Sequence, residues 1–180
     1  MAKIAVFVGS LQKDSLNKKL AKNLEKIAPS DMEFDYIDIG SLPLFNQDLE
    51  GDFPAEARKA KEQVEAADGV LFVTPEYNRS IPGVLKNAID WASRPWGSNS
   101  FDGKPVGIVG ATVGPVGTAV AQSDLRHIAG YLNTKLMGQP ELYLALAGNK
   151  FDETGHIASD SQELLKTYID AFSKWVEQEK

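Results

Sequence analysis

A doubly wound α/β fold is what this sequence predicts, and three observations carry that prediction. Short apolar runs alternate with amphipathic helical stretches along all 180 residues. Several of those runs are apolar throughout rather than at every second position, as strands covered on both faces require. No repeat, low-complexity tract or linker interrupts the alternation. Strands that alternate with helices in this way imply βαβ units and right-handed crossovers onto one parallel sheet.

Residues 4–8 read Ile-Ala-Val-Phe-Val, a strand buried on both faces. After a loop over 9–14, Leu16, Leu20, Leu24 and Ile27 recur at helical spacing and stop before Pro29. A second strand is expected over 33–39, followed by a loop over 42–53 with Pro43, Asn46 and Gly51. Pro54 opens the second helix in the first turn, where its missing N–H costs nothing. Residues 69–74 form the third strand, and Pro82 with Gly83 opens a helix carrying Leu85, Ala88, Ile89 and Ala92. Residues 105–111 read as the fourth strand, followed by a glycine turn and a helix with Val120, Leu125, Ile128 and Leu132. The fifth strand is expected over 142–147. Asp160 and Glu163 have the spacing of a capping box before the last helix, with Asp160 as the cap. Five strands and five helices give a flavodoxin-like or Rossmann-like five-stranded parallel sheet with helices on both faces, one domain over residues 1–180.

Composition then narrows the chemistry. There is no cysteine and there are two histidines, His127 and His156, far apart in sequence. Disulfide frameworks, thiolate nucleophiles, iron–sulfur clusters and zinc ribbons are thereby excluded. No metal site is expected, and an organic cofactor is the natural carrier of any difficult chemistry. The formal net charge of −6 argues against nucleic acid as a partner. No apolar stretch approaches the ~20 residues that span a bilayer, so no membrane partner is expected and the chain reads as cytoplasmic. The histidines are expected at the surface or an interface.

Ligands of such a sheet sit beyond the carboxyl ends of its strands, where strand order reverses. Three loops leave those ends with unusual compositions. The first, Gly9-Ser-Leu-Gln-Lys-Asp-Ser-Leu-Asn17, is neither a dinucleotide fingerprint nor a Walker loop. It places Ser10, Ser15 and Asn17 around a helix N-terminus, where amide donors and the dipole favour an anion such as a terminal monophosphate. Ser15 or Asp14 could equally be a plain helix cap. Lys13, Lys18, Lys19, Arg79 and Arg94 are the candidate cations. The second loop, Thr74-Pro-Glu-Tyr-Asn-Arg-Ser-Ile-Pro-Gly83, is stiffened by two prolines and can present main-chain groups along the edge of a planar ring. The third, Thr112-Val-Gly-Pro-Val-Gly-Thr118, lets backbone approach a ligand closely, or is an ordinary glycine turn.

The first loop, and the 18 consecutive residues from Thr74 to Trp91, resemble the NADPH-dependent FMN reductase family, which includes quinone, chromate and azo-dye reductases. The resemblance extends to Asp102-Gly-Lys-Pro105 and Pro140-Glu141. It implies FMN held without a covalent bond, its phosphate bonded by Ser10, Ser15 and Asn17 with help from Leu11, Gln12 and the backbone of Leu16. It implies a flavin edge lined by Pro75, Glu76, Tyr77, Asn78 and Ser80, largely through main-chain groups, and Thr112 on the ring's other side. Arg79 is expected to face the substrate or the nicotinamide phosphate. The family usually carries arginine where this chain has Gln12, which implies weaker FMN retention or compensation by Lys13.

The implied activity is a ping-pong transfer from NADPH or NADH, through FMN, to a small-molecule acceptor: a quinone, azo compound, chromate or flavin. No side chain acts as a nucleophile. A flavodoxin-type electron carrier and a flavin-free nucleotide-binding or phosphosugar-binding domain remain as alternatives. The family's assembly implies a homodimer or homotetramer, with Trp91, Trp96 and residues 93–101 as candidate contacts; Trp91 could equally belong to the core.

Overall fold

In a computed structural model describing residues 1–180, five helices flank a parallel sheet. Chain order runs β1 (Ala2–Val8), α1 (Leu16–Ile27), β2 (Met32–Tyr36), α2 (Ala55–Glu65), β3 (Gly69–Val73), α3 (Gly83–Ala92), β4 (Pro105–Ala111), α4 (Ala119–Tyr131), β5 (Lys135–Leu136), β6 (Leu142–Leu144) and α5 (Ser159–Glu179). The spatial order is β2-β1-β3-β4-β5, with β6 also on β4, so strand order reverses between β1 and β3. That is the flavodoxin-like order expected of this alternation.

The continuous apolar runs explain the layering. In β1, Ile4, Val6 and Val8 pack under α1 and α5, beside Leu20, Leu24, Leu165, Ile169 and Phe172. Ala5 and Phe7 face the other way, toward α2, α3 and α4, with Val64, Leu85, Ile89 and Leu125. Phe7, Phe72 and Phe101 form a ring cluster on that side, with centroids 5.2 to 5.9 Å apart. Gly107 lets α5 close on β4: a Cβ there would lie 2.7 Å from the Tyr168 hydroxyl, which donates to Ile108 O at 3.1 Å.

The structure departs from the sequence reading at three places and decides one reading, that of Trp91, which the sequence left open. The second strand ends at Tyr36 rather than Ile39, although Ile37 N–H still donates to Val6 O. The fifth ladder position is shared by two short segments, β5 on Pro105 and Val106 and β6 on Val109 to Ala111. β6 begins where the fifth strand is expected, at Leu142, but stops at Leu144, whereas the two residues of β5 are too few for any periodicity argument. The last helix starts at Ser159 with Ala158 at its cap and no side-chain cap bond, so Asp160 lies in the first turn, where its charge meets the helix dipole and Lys150. Trp91 is fully buried, its indole N–H donating to Pro43 O at 2.7 Å, with Phe45 and Phe53 edge-on to it. It is a core residue that pins the long excursion after β2, whereas Trp96 is 79% exposed.

Candidate functional site

Three loops leave the carboxyl ends of β1, β3 and β4, on either side of the strand-order reversal, and each presents polar groups that the chain itself does not satisfy. In the first, Ser15 caps α1: its Oγ accepts from Asn17 N–H at 3.2 Å and Lys18 N–H at 3.3 Å. The plain capping role is therefore real, and the Ser15 O–H remains free to donate. Backbone N–H groups of residues 11–16 find no acceptor within the chain. Ser10 is 6% exposed, and its hydroxyl also has no partner. Six successive free amides running through the loop into the N-terminus of α1, beside the free Ser10 hydroxyl, are the donors of a candidate anion site. Leu11 and Gln12 are exposed at its lip, with Lys13 alongside.

Asn17 behaves otherwise. Its carboxamide donates to Ala111 O at 2.9 Å and accepts from Ala111 N–H at 3.0 Å, and its own N–H is taken by Ser15. This clasp fixes the first loop to the start of the third and leaves one Asn17 amide N–H without a chain acceptor.

The second loop carries a clasp of its own. The chain-local cap residue of α4, Thr118, sits at φ 67° and makes no side-chain cap bond. Glu76 Oε2 supplies that cap from across the cleft, accepting from Val120 N–H at 3.0 Å and Ala121 N–H at 3.1 Å. A carboxylate at a helix N-terminus gains from both the amides and the dipole. Glu76 Oε1 lies 3.4 Å from the Arg79 guanidinium. Beyond it, Tyr77 and Ser80 exchange backbone bonds of 2.9 and 3.0 Å around a two-residue turn. Both central residues are left-handed, Asn78 at φ 52° and Arg79 at φ 64°. Asparagine tolerates this; arginine at such a position costs on the order of 1 kcal/mol. The turn leaves the N–H groups of Glu76, Asn78 and Arg79 without chain acceptors. Pro75 is buried against Gly9, and Arg79 extends into solvent.

The third loop starts at Thr112, whose N–H donates to Leu144 O and whose O accepts from Ala147 N–H. Its Oγ1 accepts from Gly114 N–H at 3.2 Å, leaving the O–H free. Gly110 permits the close approach beneath: a Cβ there would lie 2.3 Å from Thr74 O and 2.1 Å from Thr118 Oγ1. The segment after β6 joins this loop, with Leu146 N–H on Gly114 O at 3.1 Å. Sequence reasoning did not single out Leu146; its left-handed backbone, φ 51°, has no local sequence signal.

His127 and His156 are both exposed, the latter beside Lys26 and Thr154. Neither is in the three loops. No group of acidic residues and histidines is placed to hold a metal, and no helix is long and apolar enough to cross a membrane. A separate groove of about 590 Å³ lies at the far ends of α3 and α4, bordered by Phe45, Arg94, Trp96 and Tyr131.

The groups present fit FMN. A phosphate needs several free donors close together in the chain, which the first loop has, and a planar ring edge needs backbone donors on a stiff loop, which the second loop has. Comparison with known proteins agrees. Residues 2–149 match the family described as NADPH-dependent FMN reductase. The chain is 55% identical over 175 residues to a 2-hydroxy-1,4-benzoquinone reductase of a Burkholderia species, covering 97% of this chain and 96% of that one. It is 41% identical over 174 residues to a quinone reductase of Pseudomonas putida, covering 96% and 94%. Among solved structures it superposes with a TM-score of 0.94 on FerB, a flavoenzyme NAD(P)H:(acceptor) oxidoreductase from Paracoccus denitrificans, at 42% identity and 99% coverage of both chains. The electron-carrier and flavin-free alternatives give way to this agreement: the chain is an oxidoreductase that belongs to the NADPH-dependent FMN reductase family.

Proposed function

We propose that residues 1–180 form one FMN-binding domain that reduces quinones with NAD(P)H in a ping-pong cycle. Oxidised nicotinamide leaves before the quinone enters at the same surface. The observation that carries this reading is the run of free amides at 11–16 beside the unpartnered Ser10 hydroxyl. The naming of the 55% and 41% identical relatives as quinone reductases supports the acceptor class. When bound, FMN supplies the two-electron chemistry, so that NAD(P)H, a proton and a quinone become NAD(P)⁺ and a hydroquinone.

The chain's part is to bind, orient and exclude. The O–H groups of Ser10 and Ser15 and the amides from Leu11 to Leu16 hold the phosphate. Gln12 adds a neutral donor where a guanidinium would form a charge-assisted bond, and Lys13 offsets part of that loss. Pro75 stiffens the second loop, the Tyr77–Ser80 turn presents the Glu76, Asn78 and Arg79 amides at the ring edge, and the Thr112 hydroxyl donates from the opposite side. Asn17 and Glu76 keep these three loops at fixed separation. Arg79, 70% exposed, would pair with the extra phosphate that distinguishes NADPH from NADH. We further propose a cytoplasmic homodimer that covers the exposed rings of Trp96 and Tyr131, 79% and 75% exposed.

Purified protein tests this. It is expected to carry visible flavin absorbance, to oxidise NADPH only when a quinone is supplied, and to give parallel double-reciprocal lines. Flavin without turnover makes it a carrier. Intersecting lines refute the ping-pong order. Ser15→Asp sets a carboxylate against the phosphate and is expected to yield mostly flavin-free protein; unchanged flavin content would move the phosphate elsewhere.

A further inference from the structure

Three exposed apolar side chains at the carboxyl rim of the sheet belong to no residue assigned to the flavin. Of the eleven large hydrophobic side chains left exposed in the whole chain, five lie on loops at the carboxyl ends of β1, β3, β4 and β6: Leu11, Tyr77, Val113, Val116 and Leu146. Three of these lie on two loops that run side by side, beyond β4 and β6. Val113 is 69% exposed, Val116 41% and Leu146 60%. The loops are bonded together by Leu146 N–H on Gly114 O at 3.1 Å and Ala147 N–H on Thr112 O at 2.8 Å. A Cβ at Gly148 would lie 3.5 Å from a Val113 methyl, so the Val113 side chain leans on the segment after β6.

Leu146 is the residue that needs explanation. It holds φ 51°, ψ 34°, a left-handed conformation that glycine or asparagine adopts at little cost and a γ-branched residue does not. The chain thus accepts local strain and leaves a large apolar side chain in water. Neither choice helps the fold, because Leu146 belongs to neither core cluster. Such strain, held by surrounding bonds, marks a functional position.

We infer that Val113, Val116 and Leu146 form an apolar lip that selects planar, uncharged acceptors such as alkylated quinones over hydrophilic anions reduced by the same enzyme. This rests on the proposed FMN-dependent reaction and names the feature that sets its substrate class. The redox step is the one already balanced: a quinone gains two electrons and two protons to become a hydroquinone, with NAD(P)H and solvent as their source. The lip forms no bond with the reacting atoms. It removes apolar acceptor surface from water, which a ferricyanide ion does not offer.

Leu146→Asn is the decisive variant, because asparagine suits the left-handed backbone and the substitution removes only the apolar group. The ratio of kcat/KM for menadione to that for ferricyanide is expected to fall about fivefold to tenfold, the loss of one partly buried aliphatic contact. Calorimetric affinity for 1-naphthol, which is redox-inert here, is expected to fall by a similar factor. A paired Val113→Ser, Val116→Ser variant should move both quantities the same way. An unchanged ratio and unchanged naphthol affinity in Leu146→Asn, with flavin content intact, overturns the lip while leaving the FMN reading standing. A change in oligomeric state with the ratio unchanged also overturns it and assigns the patch to a second copy of the chain. Wild-type protein that holds no flavin overturns both readings.

Discussion

At the amino ends of the strands, polar side chains close onto backbone. Lys104 Nζ donates to Glu65 O at 2.9 Å and to Ala67 O, and Asp68 accepts from the Lys3 N–H at 2.7 Å. Lys61 Nζ reaches Ala92 O, Ser98 O and Ser100 Oγ, and that burial pulls its pKa below the ordinary lysine value against the opposing pull of Glu65. The single left-handed residue there other than glycine is Asn133, a type suited to it. At the carboxyl ends the balance reverses. Four such residues occur, Asn78, Arg79, Thr118 and Leu146, and the amides of 11–16 and the Ser10 hydroxyl have no chain partners. Free amides occur at both rims, at Ser30, Asp31, Gly97 and Asn99 on the amino one, but only the carboxyl rim has six in succession together with four left-handed residues other than glycine. That difference points to the same edge as the loop motifs, because strained residues cluster where the surrounding structure over-determines the backbone for function.

The contrast can be broken by substitution. The largest effect is expected at Asn17. Asn17→Ala leaves the buried Ala111 N–H and C=O unpaired and should cost about 2–4 kcal/mol in urea unfolding, with loss of flavin because the first and third loops separate. Lys61→Ala is the counterpart on the opposite rim. Its three acceptors are reached more easily by water, so a loss of about 1–2 kcal/mol is expected, with flavin affinity unchanged. Equal flavin loss in both variants would show that the two rims are not independent.

Ser10→Ala sharpens the comparison from the other side. The hydroxyl makes no bond within the chain, so stability without flavin should stay within about 0.5 kcal/mol. FMN affinity, followed by flavin fluorescence, should fall about fivefold to tenfold with the lost hydrogen bond to a charged group. The smallest effect is expected at Arg79→Gly. Relief of the left-handed backbone should raise stability by about 0.5–1 kcal/mol, offset in part by glycine's greater freedom when unfolded. The same variant should raise KM for NADPH more than for NADH. A destabilised Arg79→Gly protein would mean that the Glu76 ion pair outweighs the strain.

Much of this was legible in one dimension. The unbroken apolar runs in β1, β3 and β4, the helical spacing of Leu16 to Ile27 and the strand-to-helix loop at 74–83 are local patterns. Periodicity and proline placement encode them within a few residues, so the parallel sheet, its buried strands and the three loops at its carboxyl edge follow from sequence. Tertiary structure alone decided what the polar residues of those loops do. Asn17 lies 94 positions from Ala111, and Glu76 lies 44 and 45 from the two amides it caps. Spacing carries no record of such partners, so the clasp that Asn17 forms with Ala111 had no signature in the sequence. Trp91 read equally as core or interface until its N–H found Pro43, and Leu146 gave no signal because left-handed backbone in a leucine is imposed by neighbouring bonds. Local propensity fixed the elements; contacts between residues distant in sequence fixed their duties.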